Sequence, residues 1–442
     1  MPFRTDRPRR PESSTRHAGS GGPVVLGPVM LGDRRVRLRP PVLDDHGRWR
    51  EVRLRDQSLI EPFWVRNDHS WPDRHRRNEW VREVLAARAA ALRGRSLPCA
   101  IEVDGEFAGQ CILTAIDHAT GTAELGVWID SALARSGVAT LAVGLIADHA
   151  FGAMGLRRIV APTAADNLAA ARASERAGFR REATLPGWAP TGADDIVAHD
   201  LWVLDRDHLP TGGLTTVAIR RVDPGAPAVD VATLTRPARH GRERPRSLAD
   251  ATSMTRFALG GLRRRLRRMM PAPVPAGIGV TGTDLRLRRR GVATAMSPGR
   301  RSHAFDDICT PMRDCAWFDT DEADVAYDIV ADHRAVGRIA LVGMNRSLGF
   351  AELFVTRDPR ASATTDAAMA AAVGEIVDVA TNLLRLERIT TITDPDDEHA
   401  NRIADAAGFR DEGRIDGAAY GRPAGVVNLW GVSATRTGAA TA

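Results

Sequence analysis

The stretch Ala123 to Ala147, AELGVWIDSALARSGVATLAVGLIA, decides the reading of this chain. Leu125, Val127 and Ile129 alternate with smaller residues as a strand does, a short polar turn follows, and an apolar helical run opens at Gly137. A strand, a tight turn and a helix N-terminus together make an anion cradle. The first turn of such a helix leaves backbone N–H groups unpaired, and a glycine lets the main chain approach a phosphate with no Cβ in the way.

Working outward, Val36 to Pro40 alternates as a strand and stops at a proline, and Asp44 and Asp45 open a helix through Val52 and Leu54. Trp64 and Trp71 lie in an aromatic, turn-rich segment, followed by a helix carrying Trp80, Val81, Val84, Leu85 and Leu92. Aromatics at such spacing pack a core more often than they meet a ligand. Cys99 to Ile116 reads as a hairpin turning at Asp104-Gly105. After the cradle come a strand at Arg157 to Ala161, a helix capped by Asn167, a break at Gly178-Phe179 and a last hairpin ending near Leu204.

Two motifs carry a family resemblance. Arg135-Ser136-Gly137-Val138-Ala139, followed by Thr140, resembles the acyl-CoA pyrophosphate loop of the GNAT acyltransferases, Gln/Arg-x-x-Gly-x-Gly/Ala. Asn167 with Glu175-Arg176-Ala177-Gly178-Phe179 is similar to that family's N…EKxGF segment. Ala134 stands where the loop's first Gln or Arg would be, with Arg135 one place late. The overall shape resembles the Rim-type branch, which acetylates protein N-termini and also holds enzymes for small amines and antibiotics. The resemblance implies an α/β fold of GNAT type, with a mixed, mostly antiparallel sheet flanked by helices.

The same resemblance implies the chemistry. Acetyl-CoA would be the acyl donor and a primary amine the acceptor. Gly137, Val138 and Ala139, with Arg135, Ser136 and Thr140 beside them, would hold the pyrophosphate, and Asn167 the pantetheine side. A backbone N–H near Val127 would support the thioester oxygen. An α-amino group has a pKa near 8, so a carboxylate is needed to collect its proton, and Glu124 stands where several family members carry that base. The competing reading of Glu124 is a carboxylate paired with an arginine. Ser174 occupies the position of the family's tyrosine acid and is the candidate to replace it. His149 and His199 are lone histidines, more often structural than catalytic.

The second half echoes the first. Gly109 and Glu124 are separated by the same 15 positions as Gly337 and Glu352, Gly178-Phe179-Arg180 returns as Gly408-Phe409-Arg410, and Asp200-Leu201-Trp202 as Asn428-Leu429-Trp430. The echo has no glycine in its cradle, Ala361 to Asp366, and has Asp397 in place of Asn167. The expected organisation is a disordered basic tail over residues 1–29 and a GNAT domain over 30–210. An arginine-rich linker or inserted arm over 211–301, a degenerate GNAT-like domain over 302–435 and a tail over 436–442 complete it. The second copy's first strand falls at either Val217 to Arg220 or Leu285 to Arg288.

All 61 basic residues are arginine and the net charge is +6. Residues 236 to 301 hold 17 arginines against Glu243, Asp250 and Asp284, and Leu259, Leu262, Leu266 and Met269 line one side of a basic amphipathic helix weakened by Gly260-Gly261. Such a segment suits an anionic partner, whether RNA, ribosome or lipid, or else is a solvated linker. Cys99, Cys111, Cys309 and Cys315 form no C-x-x-C pair, so free thiols in a reducing compartment and no metal site are expected. No apolar run reaches the roughly 20 residues of a membrane span, and the expected location is cytoplasmic. The two function classes are an acetyl-CoA-dependent N-acetyltransferase and a non-catalytic acyl-CoA-binding scaffold recruited through the arginine-rich segment.

Overall fold

The computed structural model describes residues 23–64, 69–118, 120–190, 196–238, 245, 247–269, 273–290, 306–309, 325–345, 349–416 and 425–433. It contains two mixed sheets flanked by helices. The first is built from β1 (Val24–Leu31), β2 (Arg34–Arg39), β3 (Leu97–Val103), β4 (Glu106–Asp117), β5 (Thr122–Ile129), β6 (Arg158–Ala164), β7 (Arg180–Pro190), β8 (Ile196–Asp205) and β9 (Thr235–Pro237). Their order is β7-β8-β6-β5-β4-β3-β2-β1-β9, and only β5 and β6 run parallel. Helices α1 (His46–Arg55), α2 (Gln57–Ile60), α3 (Trp71–Arg74) and α4 (Arg77–Leu92) precede β3; α5 (Val138–Gly152) follows β5; α6 (Leu168–Arg176) follows β6; α7 (Gly213–Arg220) and α8 (Val231–Leu234) precede β9.

Local chemistry accounts for the central elements. Asp104 and Gly105 both have positive φ, 52° and 93°, the geometry of the two-residue turn that matches strand twist, and β3 and β4 pair across it from Val103 and Glu106. Asn167 Oδ1 accepts the Ala170 N–H at 3.0 Å and so starts α6 as its cap. The apolar α5 buries Leu141, Leu145, Ile146 and Phe151 against Leu26, Leu38, Ile101 and Leu113 of the sheet. Trp49, Trp80 and Phe107 form a separate aromatic cluster with Leu43 and Val84.

The domain edges differ from the sequence expectation. The first strand opens at Val24, inside the stretch expected to be tail; Leu26, Val29 and Leu31 turn into the core, but Gly27-Pro28 interrupts their alternation. Residues 211–301 do not form one linker. Leu214, Ala218, Ile219 and Val231 belong to the first core, β9 pairs with β1, and Val217 to Arg220 lies in α7. The arginine-rich helix α9 (Leu248–Met269) runs through Gly260-Gly261. Its start is docked: Asp250, 1% exposed, accepts from Arg77 Nε at 2.9 Å and Nη2 at 3.0 Å, and Met254 packs on the aromatic cluster. Side chains 261–269, including the arginine run, lie outside the described residues, as do residues 1–22, Cys315 and 436–442.

The second sheet comprises β10 (Gly277–Gly279), β11 (Arg286–Arg289), β12 (Asp306–Cys309), β13 (Val325–Ala331), β14 (Arg334–Asn345), β15 (Phe350–Arg357), β16 (Arg388–Thr393), β17 (Arg410–Asp416) and β18 (Val426–Ser433). Its helices are α10 (Asp366–Asp378) and α11 (Glu398–Ala406). The order β10-β11-β13-β14-β15-β16-β18-β17 repeats that of the first sheet from β1 to β7, again with one parallel pair, β15 and β16. Of the two candidate first strands, Leu285 to Arg288 therefore coincides with a strand.

Particular interactions repeat as well. A Cβ on Gly109 would sit 2.3 Å from the Trp128 carbonyl oxygen, and one on Gly337 2.3 Å from that of Thr356, so both positions exclude any side chain. The buried Arg158 pairs with Glu182, and the buried Arg388 with Glu412. The two halves share a small core in which Val160, Leu185, Leu201 and Val203 meet Ile392, Ile415, Val427 and Leu429.

Candidate active site

Strands β5 and β6 pair only from Thr122 to Glu124, opposite Arg158 to Val160, and then part. Beyond Glu124 one edge of β5 meets no other strand among the described residues, and Gly126 and Val127 are exposed there. The two faces of β5 differ. Ala123 and Leu125 belong to the core under α5, whereas Trp128 packs on the aromatic cluster of α1 and α4. Glu124, at the fork, shares the face of Gly126 and Trp128 by strand alternation.

Glu124 is partly exposed as a residue, yet its Oε2 is enclosed and has no hydrogen-bond partner among the described residues. No arginine among the described residues pairs with it. Burial pushes its carboxyl up to about 8. A carboxyl with that affinity for protons exchanges between its two forms near neutral pH, which is what a general base requires.

The turn from β5 to α5 is held from α1. Asp130, 2% exposed, accepts from Arg48 at 2.8 Å, from Arg55, and from the Ala132 N–H at 2.8 Å. Asp56 accepts from the Ser131 N–H at 2.9 Å and its Oγ at 2.8 Å. Arg135 is exposed with a φ of 61°, and Ser136 Oγ donates to Leu133 O at 2.6 Å. Gly137 is the N-cap of α5 at a φ of 86°. The left-handed backbone, rather than crowding, is what demands glycine here: a Cβ would meet Val222 and Leu31 at ordinary distances of 3.4 and 3.5 Å. The first α5 carbonyl bond is made by Leu141 N–H to Gly137 O, at 2.9 Å. Val138, Ala139 and Thr140 therefore have their N–H groups at the positive end of the helix, where Val138 N–H donates a long bond to Ser136 Oγ at 3.4 Å.

The cradle and Glu124 thus lie at opposite ends of the free segment of β5, with Val127 between them. Asn167 lies at the start of α6, next after β6, with Oδ1 committed to its cap. Ser174 lies two turns further along α6, partly exposed, and its carbonyl accepts the Phe179 N–H at 3.0 Å. Burial lowers the proton affinity of both His149 and His199, and neither lies on the free segment of β5. Sequence reading missed Gly126 and Trp128 as residues that share the Glu124 face of β5; the signal was period-two spacing from Glu124 along an uninterrupted strand. Among the described residues no group of His, Cys, Asp and Glu could hold a metal ion, and no helix is long and apolar enough to cross a membrane.

The family model for the acetyltransferase (GNAT) domain matches residues 35–180. RimJ of Mycobacterium smegmatis, solved with CoA-disulfide, is 30% identical, with 49% of this chain and 99% of that chain covered and a TM-score of 0.43. The microcin C7 self-immunity acetyltransferase MccE, solved with acetyl-CoA and AMP, is 20% identical over 41% of this chain and 98% of that chain, TM-score 0.36. RimL, a ribosomal L7/L12 α-N-protein acetyltransferase solved with coenzyme A, is 18% identical over 42% and 99%, TM-score 0.36. A search of curated proteins found no match. Through its first half the chain belongs to the GNAT acetyltransferases.

Proposed function

We propose that the first half transfers an acetyl group from acetyl-CoA to a primary amine, either a protein N-terminus or a small amine. The observation that carries this is Glu124, whose Oε2 is enclosed with no partner among the described residues and whose carboxyl burial pushes up to about 8, where β5 and β6 part. Acetyl-CoA would bring an activated thioester. The Val138, Ala139 and Thr140 N–H groups, with Ser136 and Arg135 at the rim, suit its pyrophosphate; Asn167 and the free edge of β5 at Val127 suit the chain that leads to the thioester.

As the amine nitrogen forms its bond to the carbonyl carbon, its proton passes to Glu124, directly or through water. The carbon–sulfur bond then breaks, and the thiolate, with a pKa near 8.5, leaves without needing a strong acid. Ser174 is the residue we assign to return a proton there. Because the base and an α-amine both titrate near 8, turnover should climb together with both as pH rises to that value.

Calorimetry of acetyl-CoA on wild type and Gly137→Glu tests this reading. One site per chain in wild type, lost in the variant, supports it; no binding by wild type overturns it. We further propose that the second half is a duplicated copy without activity, that the arginine-rich end of α9 meets an anionic partner such as RNA, ribosome or lipid, and that the protein works in the cytoplasm.

A further inference from the structure

The face of β5 that carries Glu124 continues with Gly126 and Trp128, opposite Thr114, Ile112 and Gln110 of β4. Nothing lies within 4 Å of where a Gly126 Cβ would be, so the strand is open between its two larger side chains. At the Trp128 end stands a buried cation. Arg53 of α1 is 3% exposed, and its Cζ lies 3.7 Å from the ring centre of Trp64, 4.9 Å from that of Trp71 and 5.0 Å from that of Trp128.

The bonds around this guanidinium leave one corner unused. His75 donates from Nδ1 to Trp71 O at 2.5 Å, so its Nε2 is free to accept Arg53 Nε at 3.0 Å. Arg53 Nη1 is enclosed and has no partner among the described residues. Glu83, the acid whose field reaches Arg53, accepts from Gln110 Nε2 at 2.8 Å, and Gln110 Oε1 accepts Trp128 Nε1–H at 2.8 Å. Arg74 brings a second guanidinium to within 5.0 Å of the Trp71 ring centre. A donor of Arg53 is unsatisfied among the described residues, and Glu83, the acid whose field reaches it, is already bonded to Gln110; an anion completes the set. Trp64, stacked on the guanidinium, is itself partly exposed.

We propose that Arg53 and its indole box select the acceptor: Nη1 takes a carboxylate from an acidic side chain near the amino end of a peptide whose terminal amine reaches Glu124. This rests on the acetyltransferase reading above. From Glu124 to Trp128 the strand rises about 13 Å, which an extended peptide covers in roughly four residues. The acid therefore falls at the second, third or fourth residue.

The test measures equilibrium affinity of the full chain, saturated with CoA, for nine-residue peptides that differ only by Asp or Asn at one of those three positions. Wild type should prefer the Asp peptide about tenfold at one of them. In Arg53→Met the ratio should collapse to near one with the Asn peptide bound as in wild type. Arg53→Lys, which keeps the charge and loses the planar fork, should retain part of the ratio and serves if the methionine variant fails to bind CoA. Equal affinity for Asp and Asn at all three positions in wild type overturns the proposal, as does an equal loss for both peptides in the variants. No turnover is needed, so the two readings fail separately: preference without acetylation removes the catalytic role, and acetylation without preference removes the selecting role.

Discussion

Strands β5 and β15 lead to differently used forks, although the strands themselves repeat. On the first fork the edge of β5 past Glu124 is unpaired among the described residues. On the second, β12 adds to the corresponding edge of β15, pairing Asp306 with Arg357 and Cys309 with Val355. The helix starts differ in the same sense. Gly137 brings no side chain to cap α5, and the first-turn bond there is the long one from Val138 N–H to Ser136 Oγ at 3.4 Å. Thr365 caps α10 by accepting the Ala368 N–H, and Asp366 in the first turn pairs with Arg357 at 3.1 Å, Arg402 at 3.0 Å and His399 at 3.0 Å. In the second half the chain's own strand and carboxylate occupy the positions that an extended anionic ligand takes in the proposed first site. A fold can keep a forked sheet by filling the fork with a ligand or with itself.

The largest effect should come from the two glutamates at the forks. Glu124→Gln should lower kcat/KM on a peptide amine by about 10² to 10⁴, and Glu352→Gln should leave it unchanged. A fall in both would break the comparison. The wild-type rate should rise with pH and level off above about 8, since the base is active only when deprotonated. Stability carries the opposite sign. A carboxyl whose folded-state pKa is raised loses stability as pH climbs from its unfolded value near 4.3 toward 8, so Glu124→Gln should be the more stable protein at pH 8, by 1 kcal/mol or so, in urea titrations.

Next in size, Gly109→Ala and Gly337→Ala should each cost about 2 to 4 kcal/mol, because each Cβ would collide with a strand carbonyl that has nowhere to retreat. A large cost at one position only would show that the halves are not built alike there. The smallest effect belongs to Asp366→Asn. Burial raises the Asp366 carboxyl, but His399, Arg402 and Arg357 outweigh it and hold the pKa below the usual value. That stabilisation is present above the unfolded pKa of about 3.9 and is lost as pH falls through the folded one. The variant should be about 0.5 to 1 kcal/mol weaker at pH 7 and equal to wild type in strong acid. If Asp366→Asn instead lets a second acetyl-CoA bind, the carboxylate alone was closing the second cradle.

Local signals were readable wherever the cause was local. The Asp104-Gly105 turn, the Asn167 cap and the Gly137 helix start each depend on a few adjacent residues, and each stands where the sequence places it. Glu124 was legible as an acid on the right strand, but its missing partner depends on what packs around it. β1 and β9 were not legible, because their pairing joins residues more than two hundred positions apart and Gly27-Pro28 breaks the alternation of β1. Arg53 reads in sequence as the polar side of a helix. Only the arrival of Trp64, Trp71 and Trp128 from separate segments turns it into a buried cation.

The shared core of Val160, Leu185, Leu201 and Val203 with Ile392, Ile415, Val427 and Leu429 joins two halves of one polypeptide. Surfaces tethered in this way meet at an effective concentration near the millimolar range, fixed by the chain and independent of how much protein is present. Dilution should therefore leave this contact intact, where the same apolar surface on a separate subunit would be uncovered.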